Sequence, residues 1–469
     1  MQLKPSNSSI SLDITEECNL RCSYCFTWVK EHKKKVLPYK LGTQIIDHWL
    51  KEGKKIEGSS RELVFWGGEP LLEWDLLKNL VTYAEKNKKD EQVIYGGTTN
   101  GTLYTPDKVE WCLENNALML VSLDGIEKVH DHCRVFKSGE GSWKIVDKNI
   151  REALKITSRQ MVRNSISVQS APYLMDTLKY FVEDLGIKNF SFSPVYEDNW
   201  TEHDFEILED QFSQMVSYLV KRRKQKKGVK VKHLDDQASI FGKSNIKHRN
   251  PCGAGNNYSG WSIEGIQFPC HRFNKHGRTK KEKMQSKEAI GYIDNNGTFH
   301  KLNEVFSNEF LNFTQNTSKH CEECDIFSSS QCHGGCYALN YDMTKDIHGK
   351  VDAECRFSHI QKKYGDLYAQ ELQKNGLSIK SNECKSCICY NMCYMEGTEQ
   401  EIIHIDRQSD VACACYNTNY NHTGSRQYRT IKKRQERKNI VAEKLLQSLG
   451  TEAPEAIKTA VHILKEKII

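Results

Sequence analysis

A regular alternation of strand-like and helix-like segments over the first half of the chain strongly limits the folds it can adopt. Strands are predicted at 10–15, 62–66, 92–95, 117–123, 162–168 and 189–193. Helices are predicted between and after them, at 41–50, 75–86, 107–114, 143–154, 174–185 and 204–224. Six strand–helix units in series predict an α/β fold with a parallel sheet wrapped by helices. In such folds ligands gather at the carboxyl ends of the strands.

Cysteine is the second feature that the fold must accommodate, with 18 cysteines among 469 residues. No N-terminal signal segment and no apolar run of membrane-spanning length is present in the sequence. We therefore expect a cytoplasmic protein of two or three domains, whose reduced thiols serve metals rather than disulfides. The net charge is +6, and basic residues concentrate at 221–227 and 426–438. Such runs are usually solvated faces, so neither nucleic acid nor membrane is an expected partner.

Three cysteines, Cys18, Cys22 and Cys25, lie in one short stretch after the first predicted strand. Thiolates at this C-x3-C-x2-C spacing can hold three irons of a 4Fe–4S cluster, and the fourth iron is then open to a small molecule. A zinc knuckle or a disulfide pair is the alternative. The spacing resembles the signature of radical S-adenosylmethionine (SAM) enzymes. The resemblance implies a cluster whose open iron is chelated by the amino and carboxylate groups of SAM.

Further motifs of that family follow at successive strand ends. Glu69, within a Gly-Gly-Glu-Pro motif after the second strand, resembles the residue that meets the methionyl amine, and Tyr24 and the backbone at Phe26 would meet the adenine. Alone, each motif would be a polar turn at a strand end. The resemblance implies that the SAM pocket is lined by Tyr24, Phe26, Gly67, Gly68, Glu69, Pro70, Thr99, Asn100, Ser122, Asp124 and Arg163.

From about residue 236 the strand–helix alternation stops and cysteines return. Their spacing resembles the SPASM extension of peptide-modifying radical SAM enzymes, except that the gap between Cys324 and Cys332 is two residues longer than usual. Two structural zinc sites are the alternative. The resemblance implies two auxiliary 4Fe–4S clusters. The outer cluster would use Cys321, Cys324, Cys332 and Cys355, and the inner cluster would use Cys252, Cys270 and Cys336.

The inner set has only three cysteines. His248 or a thiol of the C-terminal tail could supply the fourth ligand, whereas Cys133 lies more than a hundred residues upstream, inside the predicted barrel. Otherwise one iron is open and can bind a cysteine thiolate of the substrate. A third metal site, iron–sulfur or zinc, is considered for the tail cysteines, which are Cys384, Cys387, Cys389, Cys393, Cys413 and Cys415.

The resemblance covers the first 360 residues and ends there, so three parts are expected. Residues 1–235 would form a partial (β/α)6, TIM-like barrel, residues 236–360 a small cysteine-rich SPASM domain, and residues 361–469 a cysteine-rich, helical extension. An amphipathic helix is expected at 451–469. Because the chain begins only a few residues before the first strand, no N-terminal leader-binding domain is expected, and a leader would bind elsewhere or to a separate protein.

The family chemistry implies an enzyme that cleaves SAM with an electron from a donor such as flavodoxin or ferredoxin. The resulting 5′-deoxyadenosyl radical would remove a hydrogen atom from a ribosomally made peptide bearing a leader, and a thioether or carbon crosslink would form. Two alternatives remain open. One is an anaerobic sulfatase-maturing enzyme that makes formylglycine, in which His271 would replace the usual aspartate as a base. The other is an iron–sulfur electron carrier or scaffold.

Overall fold

The computed structural model describes most of the first 377 residues of the chain. The described ranges are 8–27, 35–53, 61–89, 91–158, 160–241, 252–311, 319–328, 332 and 334–377. The predictions for His248, for the six tail cysteines from Cys384 to Cys415 and for the helix at 451–469 therefore lie outside the described residues.

The strands of the described ranges join one sheet in the order β11-β10-β9-β8-β1-β2-β3-β4-β5-β6-β7. They are β1 (Ser9–Thr15), β2 (Arg61–Gly67), β3 (Val93–Thr99), β4 (Ala117–Ser122), β5 (Val162–Ile166), β6 (Asn189–Pro194), β7 (Lys230–Val231), β8 (Tyr258–Trp261), β9 (Ile266–Phe268), β10 (Gly291–Ile293) and β11 (Phe299–Lys301). Neighbouring strands from β1 to β7 are parallel. The predicted parallel sheet of a partial barrel is therefore confirmed.

Helices cover this sheet and continue into the cysteine-rich region. They are α1 (Tyr39–Glu52), α2 (Trp74–Asn87), α3 (Pro106–Glu114), α4 (Glu127–Cys133), α5 (Trp143–Ile156), α6 (Leu174–Lys179), α7 (Glu202–Lys224), α8 (Lys232–Ile240), α9 (Lys280–Met284), α10 (Glu304–Glu309), α11 (Lys319–Glu322), α12 (Asp325–Ser328), α13 (Tyr337–Thr344) and α14 (Asp352–Lys374). None of the helices in the described ranges combines the length and the apolar character needed to cross a bilayer.

Both faces of β1 are buried, although its sequence alternates apolar and polar residues. Ile10, Leu12 and Ile14 belong to the main hydrophobic core. Asp13 on the opposite face is also buried and accepts hydrogen bonds from Asn274 Nδ2 at 2.7 Å and from His276 Nε2 at 2.8 Å. The alternation of β1 thus reflects a polar barrel interior rather than a solvent-facing surface.

Three details of the barrel differ from the prediction. The predicted helix at 174–185 is α-helical only to Lys179 and continues as a π-helical turn over Tyr180–Asp184. Strand β3 reaches Thr99, beyond the predicted end at 95, because the polar residues Thr98 and Thr99 pair with β4. Strand β5 is shorter than predicted and ends at Ile166.

The sheet also continues past the barrel. Strand β8 pairs in parallel with β1, with Ser9 opposite Tyr258 and Leu12 opposite Trp261. Strands β9 to β11 extend it further in antiparallel order. The cysteine-rich region is therefore attached to the barrel through the first strand, the one that leads into the Cys18 loop.

Helix α14 fixes the far end of the cysteine-rich region to the barrel. The ring of Phe357 packs edge-on against Trp200 and Phe205, with centroid distances of 4.8 and 5.6 Å. About three helical turns after Phe357 on α14, the Tyr368 hydroxyl accepts a hydrogen bond from Arg223 Nε at 2.7 Å. Because α14 also carries Cys355, this packing sets the position of that thiol relative to the barrel.

Candidate active site

The cluster loop, residues 16–27, follows β1 at the carboxyl edge of the sheet. Backbone hydrogen bonds hold it on two sides. On one side Arg21 N donates to Val135 O at 2.7 Å, and Ser23 N donates to Cys133 O at 3.0 Å. On the other side Glu69 N donates to Glu17 O at 2.8 Å. The loop is therefore clamped between the end of β2 and the residues that follow α4.

The three thiols of the loop have polar neighbours. Asn100 Nδ2 lies 3.8 Å from Cys18 Sγ, and Arg134 Nη1 lies 3.9 Å from Cys22 Sγ. The hydroxyl of Thr27 lies 3.1 Å from Cys25 Sγ. Burial raises the pKa of Cys18 to about 12 and that of Cys22 to about 11. A bound metal would have to displace these protons, as metal binding to thiols generally does.

The spacing of the three sulfurs bears on which metal they could hold. Sulfurs that share one zinc at about 2.3 Å lie roughly 3.8 Å apart. Within the described residues, the one group of three ligand atoms that all lie within 4.8 Å of one another is at Cys324, Asp325 and His359, and not at the cluster loop. The loop thiols thus fit a multi-iron cluster better than a single zinc ion.

Gly67 and Gly68 allow the end of β2 to approach the cluster loop very closely. A Cβ atom on Gly67 would lie 2.1 Å from Thr15 O, and one on Gly68 would lie 2.1 Å from Glu17 O. Gly67 also has a φ of +133°, which disfavours other residues. We predicted from the sequence that these glycines admit a ligand. The structure gives them a nearer partner, the backbone that carries the cysteines.

Glu69 is buried and receives three hydrogen bonds from the protein. Thr99 Oγ1 and Leu71 N donate to Oε1 at 2.7 and 3.0 Å, and Asn100 N donates to Oε2 at 2.6 Å. A carboxylate has about four acceptor positions, so one is left for a ligand amine. Burial raises the pKa of Glu69 to about 7, against the opposing effect of these hydrogen bonds.

Asp124, after β4, organises the opposite side of the loop. Its carboxylate accepts hydrogen bonds from the Tyr24 hydroxyl, from Arg134 Nε at 2.8 Å and from Ser165 N at 2.9 Å. The Arg134 guanidinium also lies 5.3 Å from the centre of the Tyr24 ring. Asp124 therefore lies beside the cluster loop and holds both Tyr24 and Arg134 in place.

Sequence reasoning missed Arg134, although it contacts Asp124, Tyr24 and Cys22. It lies immediately after α4 and outside every motif at a strand end. A separation of ten residues between an aspartate and an arginine does not predict a contact between them, so the ion pair is visible only in the folded chain. The sequence feature that could have drawn attention to this position is the neighbouring cysteine, Cys133. In the structure its carbonyl accepts a hydrogen bond from the Ser23 amide of the cluster loop.

Replacing Arg134 by methionine is expected to destabilise the fold by about 3–5 kcal/mol, because Asp124 would stay buried without its cation. Urea unfolding of the full chain measures the loss. The double variant Asp124→Asn, Arg134→Met should recover much of it, since no charge is then left uncompensated. Equal losses in the single and double variants would show that the ion pair has no part in stability.

The other predicted pocket residues lie at the same edge. Arg163 is paired with Ser122 across β4 and β5, which puts it level with the end of β4, and its Nη2 donates to Ser193 Oγ at 2.8 Å. Pro70 begins a short 3₁₀ turn. The Phe26 ring lies 4.9 Å from the Arg272 guanidinium. Every residue predicted to line the SAM pocket is thus on the cluster loop, at the ends of β2 to β4 or, for Arg163, near the start of β5 and level with the end of β4.

His271 lies against the same pocket, although it comes from the cysteine-rich region. Its ring centre is 4.2 Å from that of Trp66 and 6.1 Å from that of Phe26. The Tyr258 hydroxyl lies 2.6 Å from its Nδ1. Burial lowers the pKa of His271 to about 4, so the ring is neutral near pH 7 and is a weak base.

The structure brings the predicted inner cysteines together. Burial raises the pKa of Cys270, and nearby Cys336 and Cys252 raise it further. Cys270 also directly precedes His271, so this group adjoins the SAM pocket. Cys133 lies instead beside the cluster loop, next to Ser23. It is therefore not a member of the inner group.

The four predicted outer cysteines line one cavity of about 420 Å³, together with Glu354 and His359. These cysteines are Cys321, Cys324, Cys332 and Cys355. Glu354 lies between the two groups. Its Oε1 accepts a hydrogen bond from Cys336 N of the inner group at 2.9 Å, and the next residue is Cys355 of the outer group. The structure thus places these four cysteines around one cavity and links that cavity to Cys336 through Glu354.

The chain and its fold are similar to known proteins. The cysteine-type anaerobic sulfatase-maturating enzyme of Clostridium novyi (strain NT) is 24% identical over 351 residues, which cover 72% of this chain and 87% of that enzyme. The structure of native anSMEcpe with bound AdoMet and Cp18Cys peptide aligns with a TM-score of 0.60 at 20% identity, over 78% of this chain and 99% of that one.

A second solved structure with this fold is that of a different protein. Streptococcus suis SuiB bound to precursor peptide SuiA aligns with a TM-score of 0.51 at 17% identity, over 75% of this chain and 76% of that one. These two structural likenesses show the fold. Residues 12–168, which span the cluster loop and strands β2 to β5, match the model of the radical SAM superfamily. Residues 12–168 therefore carry a radical SAM domain, and the chain is a SAM-dependent enzyme.

Proposed function

We propose that this enzyme is a peptide maturase that forms a thioether, or a carbon crosslink, in a ribosomally made peptide carrying a leader. The observation that carries the proposal is the inner group of three cysteines, Cys252, Cys270 and Cys336, beside the SAM pocket. In the part of the chain that the structure describes, these three thiolates would leave one iron of a 4Fe–4S cluster without a cysteine ligand. That iron could take the cysteine thiolate of a substrate, which would place its sulfur near the radical chemistry.

The proposal includes two auxiliary clusters besides the SAM-binding one. Cys18, Cys22 and Cys25 would hold the SAM-binding cluster, and the outer cavity would hold a cluster on Cys321, Cys324, Cys332 and Cys355. Two solved structures with this fold support a peptide substrate, because one contains the Cp18Cys peptide and the other the precursor peptide SuiA. The proposed location is the cytoplasm, where thiols remain reduced.

When bound, the cluster and SAM would supply a 5′-deoxyadenosyl radical that removes a hydrogen atom from the substrate. The residues of this chain would orient the reactants and exclude water. Glu69 would accept a hydrogen bond from the methionyl amine with its remaining acceptor position. Asp124 would hold Tyr24 and Arg134 beside the loop. His271 is the candidate base, and its lowered pKa would make it a weak one. An electron donor such as flavodoxin or ferredoxin and a separate leader-binding protein are the proposed partners.

Formylglycine formation on a sulfatase is the second candidate, because the sulfatase-maturating relative covers 72% of this chain. His271 weakens this candidate, since an aspartate is the residue expected there in sulfatase-maturing enzymes. The two candidates differ in product. A crosslink joins two residues of one peptide, whereas formylglycine formation converts one cysteine or serine into an aldehyde that hydrazide reagents label.

The test of the proposal compares a cysteine-containing substrate peptide with its Cys→Ser version, each added to enzyme that carries all its clusters. The cysteine peptide should change the electronic and paramagnetic spectra of the inner cluster, and the serine peptide should not. Mass spectrometry should then find a loss of two hydrogens without aldehyde labelling. If neither peptide changes the spectra and four protein ligands are found on the inner cluster, direct ligation of the substrate is wrong.

Ionisation of Glu69 is expected to make SAM binding depend on pH. With a pKa of about 7, the carboxylate is about one-tenth ionised at pH 6 and mostly ionised at pH 7.5. The ionised form is the stronger acceptor for the amine, so the Kd for SAM should fall several-fold over this interval. Isothermal titration of wild type and Glu69→Gln measures the effect. The variant should bind SAM more weakly and with a flat pH dependence. An unchanged Kd in the variant would mean that Glu69 only holds the backbone of the pocket.

A further inference from the structure

The cavity that would hold the outer cluster contains a second, smaller set of metal-ligating atoms. Cys324 Sγ, a carboxylate oxygen of Asp325 and a ring nitrogen of His359 all lie within 4.8 Å of one another. Asp325 begins helix α12 directly after Cys324, and His359 lies on α14. The start of α12 and the helix α14 therefore bring a thiol, a carboxylate and an imidazole together.

His359 is oriented as metal-binding histidines usually are. Its Nδ1 donates a hydrogen bond to the carbonyl of Cys355, one helical turn earlier, at 2.8 Å. That bond fixes the tautomer with Nε2 unprotonated, and it is the common second interaction of a metal-ligating histidine. Nε2 lies 3.5 Å from Asp325 Oδ1. Ligand atoms that share one zinc at about 2.0–2.2 Å lie roughly 3.4 Å apart, so this spacing fits one ion.

The chemical types of the three ligands limit which metal ions the site can bind. A thiolate, an imidazole and a carboxylate together suit Zn²⁺ or Fe²⁺, whereas Mg²⁺ and Ca²⁺ prefer oxygen alone. Three protein ligands leave a fourth position for water, which can enter because Asp325 and His359 are 74% and 49% exposed at their side chains. The Cys324 thiol would release its proton when the ion binds.

We propose that Cys324, Asp325 and His359 form a binding site for one divalent cation of the zinc type, and that this cation and the outer cluster exclude each other. The exclusion follows from Cys324, whose thiolate both would use. Only the exclusion rests on the proposed outer cluster, since the cation site is built from its own three ligands. A zinc-loaded enzyme would thus lack the outer cluster, and iron supply would decide which form is made.

Metal analysis of the full chain, purified without oxygen from cells grown with excess zinc or with excess iron, tests the proposal. From zinc medium, wild type should carry about one zinc more and about four irons fewer than from iron medium. His359→Gln should lose that zinc and regain the iron. His203→Gln is the matched control, because His203 is an exposed histidine that faces Glu206 at 3.6 Å and does not line this cavity.

X-ray absorption at the zinc edge identifies the ligands directly. The zinc should have one sulfur neighbour and otherwise nitrogen and oxygen neighbours. The proposal is overturned if zinc content is the same in His359→Gln as in wild type, or if the zinc has four sulfur neighbours. It is equally overturned if His359→Gln grown in iron medium lacks about four irons, because His359 would then be a ligand of the cluster itself. A failure of the proposed function would appear elsewhere, as absence of SAM cleavage.

Discussion

Replacing Cys18, Cys22 and Cys25 together by alanine is expected to abolish SAM cleavage, while iron at the two auxiliary sites remains. The reason is positional. The three thiols lie on one loop between the ends of β1 and β2, whereas the other two cysteine groups lie beyond residue 251 and are held by separate helices and strands. Losing the loop ligands should therefore remove about four irons per chain and leave about eight.

Production of 5′-deoxyadenosine from SAM under reducing, oxygen-free conditions is the measurement, together with iron content. Cys112→Ala is the matched control, because Cys112 is buried in the hydrophobic core of α3 and contacts no metal-ligating group. Its loss should leave both readouts unchanged. SAM cleavage that survives in the triple variant would overturn the assignment of the loop, and loss of all iron would show that the three sites assemble together.

Much of the barrel could be predicted because its signals are local. Alternation in β1 and helical periodicity in α1, α2, α3 and α5 are each contained within one short segment, and the motifs at the strand ends follow in register. Helix α4 has only seven residues and was not predicted. The division of the cysteines into two sets came from the resemblance of their spacing to the SPASM extension. The structure then groups Cys252, Cys270 and Cys336 on one side of Glu354 and the outer four on the other.

What could not be predicted depends on contacts between distant parts of the chain. Strand β8 is four residues long and contains Gly260, so it has no clear strand signal, yet it pairs with β1 because the open edge of the barrel requires a partner. The role of Arg134 also depends on a distant contact, because the end of β4 fixes the position of its partner Asp124. His271 joins the SAM pocket only because the returning strand β9 places it beside Trp66.

The role of Gly68 is likewise visible only in the folded chain, and it leads to the second large effect. Gly68→Ala is expected to cost the enzyme most of its SAM-binding cluster, a loss of about four irons per chain. A methyl group at this position would lie 2.1 Å from Glu17 O, 2.5 Å from Glu17 C and 3.0 Å from Cys18 N. Those are backbone atoms in a loop held on both sides, so the clash cannot be relieved by a side-chain rotation. The loop would have to move, and Cys18 would move with it.

Iron content and the spectrum of the SAM-binding cluster measure this effect, and thermal unfolding shows whether the barrel survives. Gly186→Ala is the control, because Gly186 has a φ of +72° and no atom within 4 Å of an added Cβ. That variant should lose roughly 1–2 kcal/mol of stability from backbone strain and keep all its iron. If Gly68→Ala also keeps its iron, the cluster loop tolerates displacement from β2, and the close approach of the two glycines is not what positions Cys18.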